Sequence, residues 1–222
     1  MSVIYLAGGC FWGTQHYISQ FEGVLDTEVG YANGHVTQPT YKQVYTDQTG
    51  HVECVKVLYD PELISLTTLC RLFFRSIDPL LKDRQGEDIG TRYRTGIYWT
   101  DESDGLIIDE VYSEIQNKYM EPLAVEKSPL TCFYNAEEYH QQYLVKNPEG
   151  YCHLSAYLLR YAKTYAQIIS ELRQNADTRK VAEKFKDIPS ELIEWLQESE
   201  SDEARLCAHL ILADQSKTTD DI

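Results

Sequence analysis

The chain has 222 residues, 43% of them hydrophobic, and a formal net charge of −15 with an isoelectric point near 4.7. This length and composition suffice for one substantial core, or for one domain with a smaller appendage. So acidic a surface repels nucleic acid and anionic membranes, and neither is expected as a partner. The N-terminal sequence MSVIYLAGG has neither the basic start nor the long apolar run of a signal peptide or membrane span, which predicts a cytoplasmic protein.

The predicted elements begin with a strand over 2–8, which leads through a Gly-Gly turn into a helix over 11–21. Further strand and helix patterns follow in alternation. They are a strand at 52–60, a helix at 65–77, a strand at 92–100, a helix at 103–119, a short strand at 130–134 and a helix at 136–146. Together they predict an α+β domain in which helices pack on a sheet.

Composition changes near residue 153, because the last glycine is Gly150 and no tyrosine follows Tyr165. We therefore predict a first domain over 1–152 and a second part over 153–222. Apolar residues recur at helical spacing from Leu154 to Leu172, and SELIEWL and EARLCAHLIL predict further helices. The second part is thus predicted to be a helical extension, and the sequence does not indicate its role.

The cysteines form neither a C-x-x-C pair nor a Cys/His cluster at zinc-ligand spacing, so a structural metal is not expected. In a reducing cytoplasm, any disulfide among them is expected to be transient and catalytic. The six are Cys10, Cys54, Cys70, Cys132, Cys152 and Cys207.

Cys10 follows the Gly-Gly turn, at the predicted start of a helix. Backbone N–H groups and the helix dipole stabilise a thiolate there, which predicts a pKa below the ordinary value of about 8.5. A small buried structural cysteine is the alternative, and the local sequence leaves both readings open. Phe11 and Trp12 follow directly, either as core residues or as an apolar pocket wall suited to a methyl or thioether group.

Glu53 shares a predicted strand face with Val55 and Val57. A carboxyl group on an apolar face is expected to have a raised pKa, to stay protonated near neutrality and to be a candidate general acid. The alternative is that Val52 and Cys54 mark the buried face and that Glu53 is solvated.

Asp88 and Tyr93 lie in the polar segment EDIGTRYRTG, which by itself is typical of a surface turn with ion pairs. Tyr41 is either a hydroxyl donor or one more packed aromatic residue. The histidines are scattered along the chain, whereas a cysteine hydrolase needs one as its general base.

Four motifs in order, GGCFWG, PTYKQVYTDQTGHVECVKVLYDP, DRQGEDIGTRYRTGIY and YNAEEYHQQYLVKNPEGYC, resemble those of the A-type peptide-methionine sulfoxide reductases. This family reduces the S epimer of methionine sulfoxide, and the resemblance covers about residues 3–152. It implies a two-layer α/β sandwich with a mixed sheet, a ferredoxin-like reductase core, followed here by an unrecognised helical extension.

The resemblance also implies a role for each candidate residue. Cys10 is similar to the family's nucleophile and Cys152 to its resolving cysteine. Glu53 is similar to the acid and Asp88 to the carboxylate that orders the site. Tyr41 and Tyr93 resemble the hydroxyls that bind the sulfoxide oxygen, and Phe11 and Trp12 the wall around the substrate methyl group.

The implied cycle passes through a Cys10 sulfenic acid and a Cys10–Cys152 disulfide, with thioredoxin or a small dithiol as reductant and no cofactor. Many members carry a further cysteine shortly after the resolving one, whereas the next cysteine here is Cys207. A monomer is expected. Two alternatives from other classes are a cysteine-dependent acyl transferase or hydrolase, with a histidine within hydrogen-bond reach of Cys10, and a non-enzymatic redox-sensing interaction protein.

Overall fold

The computed structural model describes residues 1–175 and 177–219, and the side chains of residues 1–175 and 177–216. The described chain forms two compact units, Met1–Ala156 and a second unit that begins at Tyr157. Across the described residues, no helix is both long and apolar enough to cross a membrane.

A six-stranded sheet forms the centre of the first unit. Its neighbouring strands are antiparallel, except that β6 and β7 run parallel, so the sheet is mixed. In spatial order the strands are β7 (Glu126–Pro129), β6 (Thr95–Trp99), β1 (Ser2–Gly8), β3 (Val52–Tyr59), β2 (Val24–Ala32) and β8 (Phe133–Asn135). A two-stranded hairpin of β4 (Arg84–Gln85) and β5 (Asp88–Ile89) stands apart from it.

Helices of the first unit bury apolar faces at helical spacing. In α3, Leu66, Leu69, Cys70 and Phe73 are buried at positions i, i+3, i+4 and i+7, and the Ser65 side chain accepts the Thr68 N–H at the helix start. The helices are α1 (Phe11–Ile18), α2 (Tyr41–Val44), α3 (Leu66–Arg75), α4 (Glu102–Gln116) and α5 (Tyr143–Lys146), with 3₁₀ turns at Thr91–Tyr93 and Glu138–His140.

The described part of the second unit is helical. Tyr165 and Ile168 are buried there together with Leu192, Trp195 and Ile211, and the rings of Tyr165 and Trp195 meet edge to face, 5.9 Å apart. The helices are α6 (Ala156–Gln174), which begins on the last residue of the first unit, α7 (Thr178–Lys184), α8 (Ser190–Gln197) and α9 (Asp202–Thr219). The predicted α+β fold with a mixed sheet and a helical C-terminal part is confirmed.

The structure corrects several predicted elements. The helix predicted over 136–146 is a 3₁₀ turn followed by α5, because Gln142 between them has a left-handed φ of +51° and its N–H donates to Gln15 Oε1 at 2.8 Å. The short strand at 130–134 lies later, at β8. The strand predicted over 92–100 begins at Thr95, after the 3₁₀ turn, and strands β2 and β7 had no predicted counterpart.

Candidate active site

Cys10 lies where β1 leads into α1. Gly9 precedes it with a φ of +84°, a conformation that glycine adopts without strain. The carbonyl of Cys10 accepts the Thr14 N–H at 3.3 Å, so Cys10 is the residue that caps the helix N-terminus. Its side chain is only 5% exposed.

The expectation of a low pKa for Cys10 is wrong for this state of the chain. Burial raises the pKa well above its ordinary value, and the nearby carboxylates of Glu53 and Asp88 add to the increase. The N–H groups of Trp12 and Gly13 lower the pKa, as expected at a helix N-terminus, but the loss of water outweighs them. The resting side chain is therefore a protonated thiol.

Glu53 is 2% exposed and lies on β3, directly opposite Tyr31 of β2. Its Oε2 accepts the Phe11 N–H at 3.1 Å, which brings the carboxyl group to the same helix end as Cys10. Burial raises the pKa of Glu53 to about 8, against the opposing effects of that hydrogen bond and of the Arg92 charge. The carboxyl group therefore holds its proton near neutral pH.

Tyr41 and Tyr93 approach this carboxyl group from two other segments. Tyr41 begins α2, and its N–H donates to Glu137 Oε1 at 2.8 Å. Tyr93 is buried at the end of its 3₁₀ turn, with the Arg92 guanidinium 4.4 Å from its ring centre. Burial, followed by the charge of Glu53, raises the pKa of Tyr41 to about 12 and also raises that of Tyr93. Both hydroxyls thus remain hydrogen-bond donors.

Asp88 reaches the site from the β4–β5 hairpin. Together with burial, its carboxylate raises the pKa of the nearby Tyr151 hydroxyl, and its charge contributes to the raised pKa values of Cys10, Glu53 and Cys152. Asp88 is therefore an electrostatic neighbour of both candidate cysteines.

Phe11 and Trp12 form part of an aromatic cluster around buried His140. The Trp12 indole stacks on Tyr143, with ring centres 3.8 Å apart, and its Nε1–H donates to His140 Nδ1 at 3.1 Å. The ring centres of Phe11 and Tyr41 lie 5.1 Å and 4.6 Å from that of His140. This arrangement places a cluster of aromatic rings beside the first turn of α1.

Cys152 lies over the first turn of α1. A Cβ atom on Gly13 would be 3.2 Å from Cys152 Sγ and 2.8 Å from His153 Nδ1, so the absence of a side chain at Gly13 makes room for both residues. Cys10 and Cys152 are free thiols, and burial raises the pKa of Cys152.

The arrangement supplies a thiol, a protonated carboxyl group, two tyrosine hydroxyls and a second thiol around one helix N-terminus. The family model for "Peptide methionine sulfoxide reductase" matches residues 2–173. This chain belongs to the peptide methionine sulfoxide reductase family. The match continues beyond residue 152, where the motif resemblance ended, through most of α6.

Bacterial reductases and solved structures agree with this membership. The chain is 50% identical over 160 residues to peptide methionine sulfoxide reductase MsrA of Clostridium acetobutylicum, which covers 72% of this chain and 99% of that protein. It is 49% identical to the MsrA of Mycoplasma pneumoniae over 69% of this chain and 98% of that protein.

Two solved structures are similar to the reductase unit. Reduced Mxr1 from Saccharomyces cerevisiae matches with a TM-score of 0.66 and 38% identity, over 69% of this chain and 90% of that chain. Methionine sulfoxide reductase A of Corynebacterium diphtheriae matches with a TM-score of 0.63 and 34% identity, over 68% of this chain and 77% of that chain. Both matches support the assignment of the fold.

Sequence reasoning missed several residues that the reductase places at the site. His140, Tyr143 and Glu137 lie at the site although their motif predicts no role for them, and His153 lies there although the histidines are scattered along the sequence. The motif that contains the first three could have identified them, because YNAEEYHQQY concentrates polar and aromatic residues in one short segment. His153 carried no comparable signal beyond its place beside Cys152.

Proposed function

We propose that this reductase acts on the S epimer of methionine sulfoxide, free or in proteins, with Cys10 as nucleophile and Glu53 as general acid. The observation that carries the proposal is the Glu53 carboxyl group, buried, with a pKa raised to about 8 and bonded to the N-terminus of the helix that Cys10 caps. A sulfoxide oxygen must be protonated before it can leave, and a protonated acid beside a thiol meets that need.

In the first step, Cys10 sulfur attacks the sulfoxide sulfur while Glu53 protonates the oxygen. The attack forms a bond between the two sulfurs. The protonated oxygen then passes, as a hydroxyl group, from the substrate sulfur to Cys10 sulfur while the sulfur–sulfur bond breaks, so methionine leaves and Cys10 becomes a sulfenic acid. The thiol proton of Cys10 replaces the proton that Glu53 has given, so Glu53 ends the step protonated. The hydroxyls of Tyr41 and Tyr93 are hydrogen-bond donors for the developing charge on oxygen.

In the second step, the Cys152 thiol attacks the Cys10 sulfenic sulfur. A disulfide forms, and the hydroxyl group of the sulfenic acid leaves as water with the Cys152 proton. The position of Cys152 over Gly13, in the first turn of the helix that Cys10 caps, supports this pairing. Asp88 is proposed to order the site through its charge, which acts on Cys10, Cys152 and the Tyr151 hydroxyl.

In the third step, a thioredoxin dithiol reduces the Cys10–Cys152 disulfide by thiol–disulfide exchange, and a small dithiol can replace it. This requirement for a reducing partner leads us to propose the cytoplasm as the compartment. Residues 1–152 contain every group used, so we propose them as the catalytic domain and residues 153–222 as an extension that takes no part in the chemistry.

The test is an HPLC assay with each epimer of a methionine sulfoxide peptide and excess dithiothreitol. The wild-type chain is expected to reduce the S epimer alone, and Cys10→Ser is expected to reduce neither. Equal reduction of both epimers, or turnover by Cys10→Ser above a few per cent of wild type, contradicts the proposal. Hydrolysis of an ester substrate, tested in parallel, would indicate a cysteine hydrolase instead. In the structure, His153 Nδ1 has no hydrogen-bond partner among the described residues, so it does not hydrogen-bond the Cys10 thiol as a general base would.

A further inference from the structure

Three potential metal ligands meet beside α1. Cys10 Sγ, a carboxylate oxygen of Asp88 and a ring nitrogen of His153 all lie within 4.8 Å of one another. Two of the buried atoms, Asp88 Oδ2 and His153 Nδ1, have no hydrogen-bond partner among the described residues. Buried polar atoms are nearly always paired, so these two atoms beside a thiol are available to bind a ligand.

The hydrogen bond of the His153 ring leaves one ring nitrogen available to a metal ion. Its Nε2 lies 3.0 Å from the Gly8 carbonyl oxygen, and since a carbonyl can only accept, Nε2 carries the hydrogen and Nδ1 carries the lone pair. Metal-bound histidines are commonly fixed in this way, through a hydrogen bond from the other ring nitrogen.

Asp88 lies beside the Tyr151 hydroxyl. Its Oδ2 is buried and has no hydrogen-bond partner among the described residues. Cys10, Asp88 and His153 belong to three separate segments, namely the β1–α1 junction, the β4–β5 hairpin and the loop before α6. The sequence therefore contains no zinc-ligand spacing that could have predicted the cluster.

We propose that Cys10 Sγ, Asp88 Oδ2 and His153 Nδ1 together bind a thiophilic divalent cation such as Zn²⁺, and that the bound ion reversibly inhibits the reductase. The inhibition rests on the proposed function, because Cys10 is its nucleophile. Thiolate, imidazole and carboxylate are the three ligand types of zinc sites, and a fourth position stays open for water. Magnesium and calcium prefer all-oxygen sites, so they are poor competitors.

Binding exchanges one proton for the metal. The Cys10 thiol forms a sulfur–zinc bond and releases its proton to solvent, so affinity falls as pH falls. Zinc at about 2.0 to 2.3 Å from its ligands separates them by roughly 3.5 Å, which requires the three donors to close in by about 1 Å. A sulfur bound to the metal cannot attack a sulfoxide, and a sulfur in the Cys10–Cys152 disulfide cannot bind the metal as a thiolate.

The test uses Co²⁺ as a spectroscopic substitute, titrated without free thiol into the reduced, untagged full chain. One Co²⁺ per chain is expected, with a sulfur-to-cobalt charge-transfer band and the visible bands of tetrahedral geometry. Cys10→Ser is expected to abolish the charge-transfer band, and His153→Ala to weaken binding by more than about tenfold. Cys132→Ala is the matched control, because Cys132 Sγ lies 4.0 Å from His51 Nε2 in a separate Cys–His pair. The control is expected to keep the band.

Zinc inhibition is measured on the same pre-reduced chains as methionine formed in one turnover, each variant relative to its own metal-free rate. Wild type and Cys132→Ala are expected to be inhibited, and His153→Ala to need more than about ten times as much Zn²⁺. A cobalt spectrum without the thiolate band, or one that Cys10→Ser leaves unchanged, overturns the metal site. If sulfoxide is reduced normally in that case, the proposed function stands. A thiolate band in a chain that never reduces sulfoxide means that the function fails and the metal site stands.

Discussion

The Glu53 carboxyl group and the Phe11 backbone N–H are joined by a hydrogen bond of 3.1 Å. This bond fixes a buried acid to the first residue of α1, next to the cysteine that caps the helix. The chain thereby places a buried carboxyl group and a thiol at one helix end, although they lie on different elements. Because the helix N-terminus favours negative charge, it also offsets part of the cost when Glu53 releases its proton.

Replacement of Glu53 by glutamine is expected to slow formation of methionine by roughly 10²- to 10⁴-fold, the range for a lost general acid. Glutamine keeps the shape and can still accept the Phe11 N–H, but it has no acidic proton. In wild type, the protonated acid is lost as pH rises through about 8, so the rate is expected to fall there. The variant is expected to lack this fall. Rapid-quench measurement of a single turnover across pH isolates this step.

Glu28→Gln is the matched control for that experiment, because Glu28 lies on strand β2 and pairs with Lys56 at 2.5 Å. Its single-turnover rate is expected to equal that of wild type. If Glu53→Gln also reacts at the wild-type rate, Glu53 has no part in the mechanism.

Glu53 also makes stability depend on pH, with an unusual sign. Its pKa in the folded chain, about 8, lies above the ordinary value of 4.5, so the folded state keeps a proton that the unfolded state releases between those values. The stability contributed by this group is complete below about pH 4.5 and is lost as pH rises through 8. Glu53→Gln is therefore expected to gain Tm over wild type, and the gain should grow from about pH 5 to about pH 9.

Both variants are followed by thermal unfolding with circular dichroism. The Tm difference between Glu28→Gln and wild type should change with pH in the opposite direction to that of Glu53→Gln. The hydrogen bond from Lys56 lowers the pKa of Glu28, so its contribution to stability is present at high pH and lost on acidification. A Tm difference between Glu53→Gln and wild type that does not change with pH would show that Glu53 is solvated in the folded chain.

The sequence predicted the parts of the site that depend on local pattern. Gly-Gly-Cys before a helical segment predicted the β1–α1 junction, and strand alternation placed Glu53 with Val55 and Val57. Alternation alone could not decide between the faces, because Val52 and Cys54 on the opposite face are buried as well. Only the tertiary packing of both faces at this end of the sheet establishes that Glu53 is buried.

Two properties of the site could not be read from local sequence. The pKa of Cys10 depends on how completely the folded chain excludes water from a helix N-terminus, and the pattern indicated the helix but not the exclusion. His153 meets Asp88 and Cys10 because loops distant in sequence converge on α1. Such long-range contacts leave no periodic signal in the segments that make them.

Gly13→Ala is expected to separate the two chemical steps. The new Cβ would lie 2.8 Å from the His153 ring and 3.2 Å from Cys152 Sγ, so the segment that carries Cys152 must shift. The shift of Cys152 is expected to slow disulfide formation by roughly tenfold to 100-fold, while the first methionine forms at the wild-type rate. Mass spectrometry of the Cys10 sulfenic acid, trapped with dimedone, follows its accumulation.

Gly105→Ala in α4 controls for the general effect of alanine in a helix. Its Cβ would lie 3.2 Å from the nearest atom of the Trp99 ring, away from both cysteines. Trapping in this variant is expected to match wild type. If Gly13→Ala closes the disulfide as fast as Gly105→Ala, Cys152 does not need its position over α1 to reach the sulfenic acid.

The final prediction concerns regeneration. Cys207, the only cysteine after Cys152, is fully buried in the second unit, and burial raises its pKa to about 11. A thiol that is almost never deprotonated near neutral pH and that is not exposed to solvent is poorly suited to pass a disulfide on to a partner. We therefore expect thioredoxin to reduce the Cys10–Cys152 disulfide directly.

Steady-state turnover of Cys207→Ala with thioredoxin, thioredoxin reductase and NADPH should stay within about twofold of wild type. Alanine is chosen over serine because a buried hydroxyl group would lack a partner. Cys152→Ser should release one equivalent of methionine and then stall with thioredoxin, because its Cys10 sulfenic acid has no thiol to attack it. If Cys207→Ala stalls in the same way, Cys207 carries the disulfide to the reductant, and the second unit takes part in the redox cycle.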